Sequence, residues 1–309
     1  MRILVTGGAG FIGSHVVDAS LAAGHEVAVL DSFWPHGGGR RANVNPGAKL
    51  FELDIRDASV ADVFMQFRPE VVSHHAAQHS VAVSTREPQL DADVNARGAL
   101  NVFESAVKAG VRKVVFASSA ATYGTPHYVP IDEPHPQAPE SPYGITKLAG
   151  ELYLRYFASA FGLGATIFRY GNVYGPRQDP NGEAGVIAIF CNRILRGEPI
   201  RIDWDGEQQK DYVYVGDIAR AGLLALTAAD ADVFNLGSGV GTSVNALHRA
   251  IAEAVGRDVA VMRAPKRQGD LRTCVFAIEK ASKALGWRPE TSLRDGIAKT
   301  LDFFKTNAA

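Results

Sequence analysis

The chain has 309 residues, 46% hydrophobic and 21% charged, with a formal net charge of -1. This is the composition of a globular protein with one large or two closely joined domains. The near-zero charge gives no electrostatic attraction to nucleic acid or to an acidic membrane. No apolar run approaches the ~20 residues of a membrane span. Cys191 and Cys274 stand far apart, outside any CxxC spacing, and with no signal sequence they point to a reducing cytoplasm.

In chain order, the first half alternates β-rich runs with helical windows. The runs cover residues 3–6, 27–31, 50–53, 71–74, 114–118 and 166–169. Val60, Val63, Phe64 and Phe67 recur at i, i+3, i+4, i+7, and Leu100, Phe103 and Val107 repeat the helical spacing. Gly24 and Gly110 stand where helices should stop. The alternation predicts an α/β fold, a Rossmann-type doubly wound parallel sheet with ligands at the carboxyl ends of its strands. Beyond about Asn172 glycine and proline cluster in "YGPRQDPNGEAG". Residues 1–172 are therefore expected to form the nucleotide-binding domain, and 173–309 a smaller C-terminal α/β domain for substrate. A segment near 211–236, containing "DYVYVGDIARAGLLAL", is expected to return to the sheet, with Asp217 as helix N-cap.

The opening "ILVTGGAGFIGSH" spaces Gly7, Gly10 and Gly13 three apart, and Gly8, Gly10 and Gly13 satisfy GxGxxG. The run leaves a strand pattern and enters a helix pattern with Phe11 and Ile12, which is the context a dinucleotide-binding turn needs. Such glycines let the backbone approach a pyrophosphate whose charge rests on a helix N-terminus. Asp31 closes the next strand near the ~20-residue offset of a ribose-binding carboxylate, which favours NAD over NADP. The bland alternative is a structural turn followed by a solvated aspartate. Asp54, after the third strand, reads either as an adenine contact or as a cap for the next helix.

Tyr143 and Lys147 in "SPYGITKL" are i, i+4 and share one helix face. Using the tyrosine as a base requires its pKa to fall by ~3 units, or ~4 kcal/mol. One ammonium ~5 Å away at an effective dielectric of ~20 supplies about 3 kcal/mol, and a nicotinamide cation supplies the rest. The pair is thus expected to move a proton at an alcohol while a hydride moves to a cofactor. On its own, Tyr-x-x-x-Lys is equally compatible with a surface contact.

"TGGAGFIG", "SSAATYG" and "YGITK" together resemble the extended short-chain dehydrogenase/reductase superfamily. "RYGNVYGPRQDP", "KDYVYVGD", "FNLGSGVGTS" and "PKRQGDLRTC" extend the likeness along nearly the whole chain and narrow it to the UDP-glucose (UDP-hexose) 4-epimerases. The resemblance implies an isomerase with NAD as cofactor and a UDP-sugar as substrate. It places Ser119 beside the sugar 4-oxygen, Tyr143 as acid/base and Lys147 on the nicotinamide ribose. Phe11, Ile12, Asp54, Ile55, Ala76, Ala77, Asn95 and Tyr170 are implied to line the cofactor, and Asn172, Lys210, Arg267 and Asp270 to meet the nucleoside diphosphate. Many such relatives dimerise through two long helices, here about 90–109 and 142–161, where Gly98, Ala99, Ala149 and Gly150 would allow close approach. UDP-glucuronate 4-epimerases share the pattern. Dehydratases and decarboxylases place acids after the serine, where this chain has Ala120 and Ala121, so epimerisation is favoured. A regulator that only senses NAD would lack the tyrosine–lysine pair.

Some residues depart from that pattern. Lys210 stands where arginine is expected, turning a bidentate clamp into a point charge. Cys274 stands where a tyrosine blocks bulky C2 substituents, so N-acetylated hexoses are expected to fit, unless the cysteine is simply a small core residue. Arg177 reads as a phosphate contact or as a surface arginine. "WPHGGGR" reads as a loop over the adenine end. His74, His75 and His79 cluster, but neighbours on a strand face opposite ways and no carboxylate completes a set, so no metal is expected.

Overall fold

All six apolar runs of the first half become parallel strands: β1 (Arg2–Thr6), β2 (Glu26–Asp31), β3 (Lys49–Glu52), β4 (Val71–His74), β5 (Lys113–Ser119) and β6 (Gly164–Tyr170). The structure, a computed structural model, describes residues 1–34, 37–182, 185–228, 230, 232–266 and 270–307. The later strands are β7 (Asn172–Tyr174), β8 (Ile200–Asp203), β9 (Gln209–Tyr214), β10 (Asp232–Leu236), β11 (Gly241–Ser243), β12 (Val261–Ala264) and β13 (Thr273–Cys274). β10 joins the main sheet, whose order is β10-β6-β5-β4-β1-β2-β3. The order reverses between β1 and β4, the place where a doubly wound sheet receives its ligand at the carboxyl ends of the strands.

Helices cover both faces. α1 (Phe11–Ala22), α8 (Val215–Ala225) and α10 (Glu279–Leu285) lie on one side. α2 (Val60–Phe67), α5 (Ala99–Lys108) and α6 (Pro142–Phe161) lie on the other. Strand alternation divides the core accordingly: Ile3 and Val5 pack with Val16, Val17 and Ile218, and Leu4 packs with Phe64, Phe103 and Leu154. Because both faces are covered, the strands read as nearly continuous apolar runs. Gly24 and Gly110 take the left-handed conformation, φ 79° and 70°, just past the ends of α1 and α5. The helix expected over 90–109 is present: α4 (Pro88–Ala92), a π-helical turn (Asp93–Gly98) and α5 follow one another without a break, and a separate short α3 (Val81–Arg86) precedes them.

The second lobe packs α7 (Val186–Arg196), α9 (Val244–Val255) and α11 (Leu293–Thr306) around β8 and β9 in a separate core. Asp217 is not the N-cap of α8. Tyr214 occupies that position, and the buried Asp217 carboxylate instead accepts from the Glu290 and Thr291 N–H groups, both at 3.1 Å. It therefore anchors the C-terminal segment to α8. Among the described residues no helix is long and apolar enough to cross a membrane.

Candidate active site

The glycine turn after β1 has no room for side chains. A Cβ on Gly13 would sit 2.2 Å from the Gly7 carbonyl oxygen, and one on Gly7, whose φ is 67°, would sit 2.6 Å from the Ala76 nitrogen. This close approach brings Gly7 against His75 and Ala76, just past the end of β4. α1 then begins at Phe11 with neither a side-chain cap nor an acidic residue in its first turn. Its first N–H groups are consequently an anion site by helix geometry alone. Asp31 closes β2 beside them, its two oxygens accepting from the Ala9 and Phe33 N–H groups at 3.0 Å each. Burial raises its pKa, while these backbone donors counteract the rise. Each oxygen keeps a lone pair for a ribose diol. The donor set and the glycine cradle fit a dinucleotide.

Asp54 is less available than expected. Its carboxylate binds Arg56 through the backbone N–H and both Nε and Nη2, at 2.8–3.0 Å, and Arg56 in turn holds Asp93. The Arg56 hydrogen bond lowers the Asp54 pKa. Ile55 is buried in the core and touches Gly98, where a Cβ would come within 2.7 Å of its Cδ1. Within "WPHGGGR", Pro35 and His36 lie outside the described residues. Gly39 packs so close to Asp31 that a Cβ would approach its Oδ1 at 2.4 Å.

Ser119, Tyr143 and Lys147 come together at the carboxyl end of β5. Ser119 ends that strand opposite Tyr170 of β6, and its hydroxyl hydrogen-bonds the Tyr143 phenol. α6 starts at Pro142 with Ser141 as its cap, the side-chain oxygen accepting from the Gly144 N–H. This cap fixes the turn carrying Tyr143. Lys147, 5% exposed, points inward: Nζ donates to the Ala117 carbonyl at 2.9 Å and lies 5.8 Å from the Tyr143 ring centroid.

The electrostatics differ from the sequence-based expectation. Burial pushes Tyr143 up to about 12, only partly offset by the Ser119 hydrogen bond. Burial likewise brings Lys147 down to about 8. Helical spacing accounts for the attraction between the two groups and omits their desolvation, which dominates here. In the protein alone Tyr143 is a phenol hydrogen-bonded to Ser119.

Asn95, expected against the cofactor, has its amide engaged within the protein. It accepts from the Gln78 N–H (2.8 Å) and donates to the Gln78 carbonyl (2.9 Å) and Asp91 (3.0 Å), with Thr146 at 3.2 Å. It therefore knits the loop after β4 to α4 and α6. Asp91, Thr146 and Gln78 escaped the sequence reading because no local pattern marks them. A second buried network was legible only as a charged residue on the inner face of α6: Glu151, four residues after Lys147, pairs with Arg169. His74 and His75 do face opposite ways. His74 stacks on Phe116 and His75 on Tyr170, and burial holds both down at about 3. Among the described residues no group of three or more His, Cys, Asp or Glu could hold a metal.

Toward the second lobe, Lys210 and Cys274 are direct neighbours in the β9–β13 ladder. The Lys210 ammonium donates to the Leu271 carbonyl at 3.3 Å. Cys274 packs with Tyr123, Ile131 and Phe276. Asn172 is exposed at the start of β7 and donates to the Asp211 carbonyl at 3.3 Å. Asp270 is half-buried, and Arg267 lies outside the described residues. Arg177 departs from the expectation of a free phosphate contact: it is bound to Asp18 of α1 at 2.7 Å and has a φ of 68°.

Residues 3–237 match the model of the NAD dependent epimerase/dehydratase family. The chain is 44% identical to a UDP-glucose 4-epimerase of Mycolicibacterium smegmatis, covering 100% of each chain. It is similar in structure to the UDP-glucose 4-epimerase of Thermotoga maritima solved with UDP-glucose, with a TM-score of 0.97, 46% identity and 100% of each chain covered. It is also similar to the Thermus thermophilus UDP-glucose 4-epimerase solved with NAD, with a TM-score of 0.94, 46% identity and 99% of each chain covered. Glycine cradle, Asp31 and the Ser119–Tyr143–Lys147 constellation thus sit in a chain that belongs to the NAD dependent epimerase/dehydratase family.

Proposed function

We propose that this protein interconverts the C4 epimers of a UDP-hexose with NAD as a regenerated cofactor. The observation that carries the reading is the meeting of Ser119, Tyr143 and Lys147 beside the glycine cradle, with alanines at 120 and 121. Bound NAD supplies a hydride acceptor and, in the same ring, a positive charge. Ser119 orients the sugar 4-oxygen and hydrogen-bonds Tyr143. Tyr143 holds the proton exchanged with that oxygen and returns it on the other face of the sugar. Lys147 fixes the cofactor ribose and lends positive charge to the phenol. With no acid at Ala120 or Ala121, nothing in that turn removes a C5 proton or protonates a leaving C6 hydroxyl, so the 4-keto sugar is reduced again.

Residues 1–172, with the returning 211–236, hold NAD through Gly7, Gly10, Phe11, Ile12, Gly13, Asp31, Ala76, Ala77 and Tyr170. Residues 173–309 hold the UDP-sugar, with Asn172 at their edge and Lys210, Arg267, Asp270 and Cys274 among the contacts. Arg177 supports this end through Asp18. Adding UDP-galactose or UDP-GalNAc is expected to yield the 4-epimer with no net rise in absorbance near about 340 nm. Accumulating NADH would make the protein a dehydrogenase, and a 4-keto-6-deoxy product a dehydratase; either result overturns the reading. The UDP-GalNAc arm decides whether Cys274 widens the sugar pocket.

The working form is a cytoplasmic homodimer. Ile145, Leu152 and Tyr156, 54%, 58% and 57% exposed, fall on one face of α6 at i, i+7 and i+11. An apolar stripe of this kind suits a second copy of the helix. Gly150 serves otherwise: a Cβ there would lie 2.6 Å from the Phe116 ring, so this glycine faces the sheet. Tyr156→Glu with Leu152→Glu is expected to halve the mass measured by light scattering; an unchanged mass would remove α6 from the interface.

A further inference from the structure

Behind the Tyr143–Lys147 face lies a buried carboxylate that no step above employs. Asp91, on α4, is fully buried. Its Oδ1 accepts from Gln78 Nε2 at 2.8 Å and Asn95 Nδ2 at 3.0 Å, and its Oδ2 from Thr146 Oγ1 at 2.6 Å. Its two oxygens thus take three hydrogen bonds, none of them from a charged donor. The donors come from three places: the loop after β4, the π-helical turn and α6. Thr146 stands immediately before Lys147, three residues after Tyr143, and its hydroxyl also lies 3.1 Å from the Tyr143 carbonyl.

The ionisable groups facing Lys147 can be taken element by element. From β4 and the following loop come His74, His75 and His79; burial holds the first two down at about 3 and also lowers the third. From α6 come Tyr143, a phenol at neutral pH, and Glu151, which is paired with Arg169 of β6. Tyr170 of β6 is pushed up by burial and remains neutral. From α4 comes Asp91, the one anion in this set without an ion-pair partner of its own among the described residues. Its charge favours the ammonium form of Lys147 and disfavours a Tyr143 phenolate. For Lys147 this attraction opposes the larger effect of burial, and for the phenol the repulsion adds to it.

We propose that Asp91 is a positioning residue for the catalytic helix, tethering the turn that carries Tyr143 and Lys147 through Thr146 and placing a carboxyl group behind it. The proposal rests on the roles given to Tyr143 and Lys147 under the epimerase reading. Asp91→Asn removes the charge and preserves the shape. The new Nδ2 can donate one proton to Thr146 Oγ1, whose own proton then turns to the Tyr143 carbonyl, so the hydrogen bond to Thr146 is kept.

The expected result is an alkaline limb of kcat/KM that moves down by about one pH unit, because a buried lysine losing its counter-charge gives up its proton sooner. A second readout needs no turnover. Because the Lys147 pKa in the folded protein lies below that of a free lysine, unfolding takes up protons between the two values, and stability rises with pH from about 8. Measured against Lys147→Met at each pH, that rise should begin about one pH unit lower in Asp91→Asn. Thr146→Ala cuts the tether and keeps the charge, and should lower kcat while leaving the limb in place. If Asp91→Asn does not fold, Asp91→Glu takes its place: retaining the charge, it should retain the limb, and a limb shifted by a full unit there overturns the proposal. A limb and a stability profile that stay in place in Asp91→Asn also overturn it. A wild-type protein inactive on every UDP-hexose would remove the epimerase reading alone, since the stability profile would still decide Asp91.

Discussion

Tyr143→Phe is expected to lower kcat by about 10³-fold and to leave NAD content and thermal midpoint nearly unchanged. The size follows from what is removed. The phenol is the only group in the constellation placed to exchange a proton with an oxygen that Ser119 orients. Ser119 is not expected to take over, because a serine hydroxyl exchanges its proton efficiently near neutral pH only with an adjacent base. Tyr143 is itself expected beside the cofactor, but under the proposed reading the glycine turn, Asp31 and Lys147 supply most of its contacts, so affinity for NAD should largely persist. Stability should persist because the phenol's one side-chain partner is Ser119, and a phenylalanine fills nearly the same volume. A stopped assay for the 4-epimer, together with release and quantitation of bound NAD, measures both. If turnover stays within about tenfold of the wild type, the proton moves by another route and the assignment of Tyr143 fails.

The contrast between this prediction and the sequence-based electrostatics shows which parts of the site were legible. The glycine turn, Asp31 and the Tyr143–Lys147 pair are local patterns, each compressed into a strand–turn–helix or a single helical turn, so spacing alone points to them. The strands were legible for the same reason: a parallel sheet covered on both faces leaves near-continuous apolar runs. β10 carries a run of only five residues between turns and becomes recognisable through its pairing with β6. The supporting networks pair distant positions. Thr146 meets Asp91 across 55 residues, and Tyr123 meets Asn235 across 112. Nothing in one chain's spacing predicts such meetings. The burial that raises Tyr143 in the protein alone was not legible for a related reason, since it depends on elements that come from elsewhere in the chain.

The largest expected loss of stability lies in the other network. Glu151→Leu should destabilise the fold by about 4 kcal/mol, because it strands a buried guanidinium. Arg169 and Glu151 are each 1% exposed and meet at 2.6 Å, with a second bond from Arg169 Nε at 2.9 Å. Glu151 also accepts from Ser118 Oγ at 2.5 Å, and Arg169 Nη1 donates to the Tyr123 hydroxyl at 2.8 Å. Removing the carboxylate therefore leaves one full charge without its counter-ion and the Ser118 hydroxyl without its acceptor in a buried place. Arg169→Met added to Glu151→Leu removes the charge that made the single change costly, so the double variant should recover much of the lost stability. Chemical denaturation of the two single variants and the double variant measures this coupling; simple additivity would show that the pair is not the cause. Activity should follow a different order. Ser118 precedes Ser119, Glu151 lies one turn beyond Lys147, and Arg169 precedes Tyr170, so the pair clamps together the three elements that carry the site. The double variant should fold and still turn over slowly, because apolar packing can replace the energy of the ion pair without reproducing its fixed geometry.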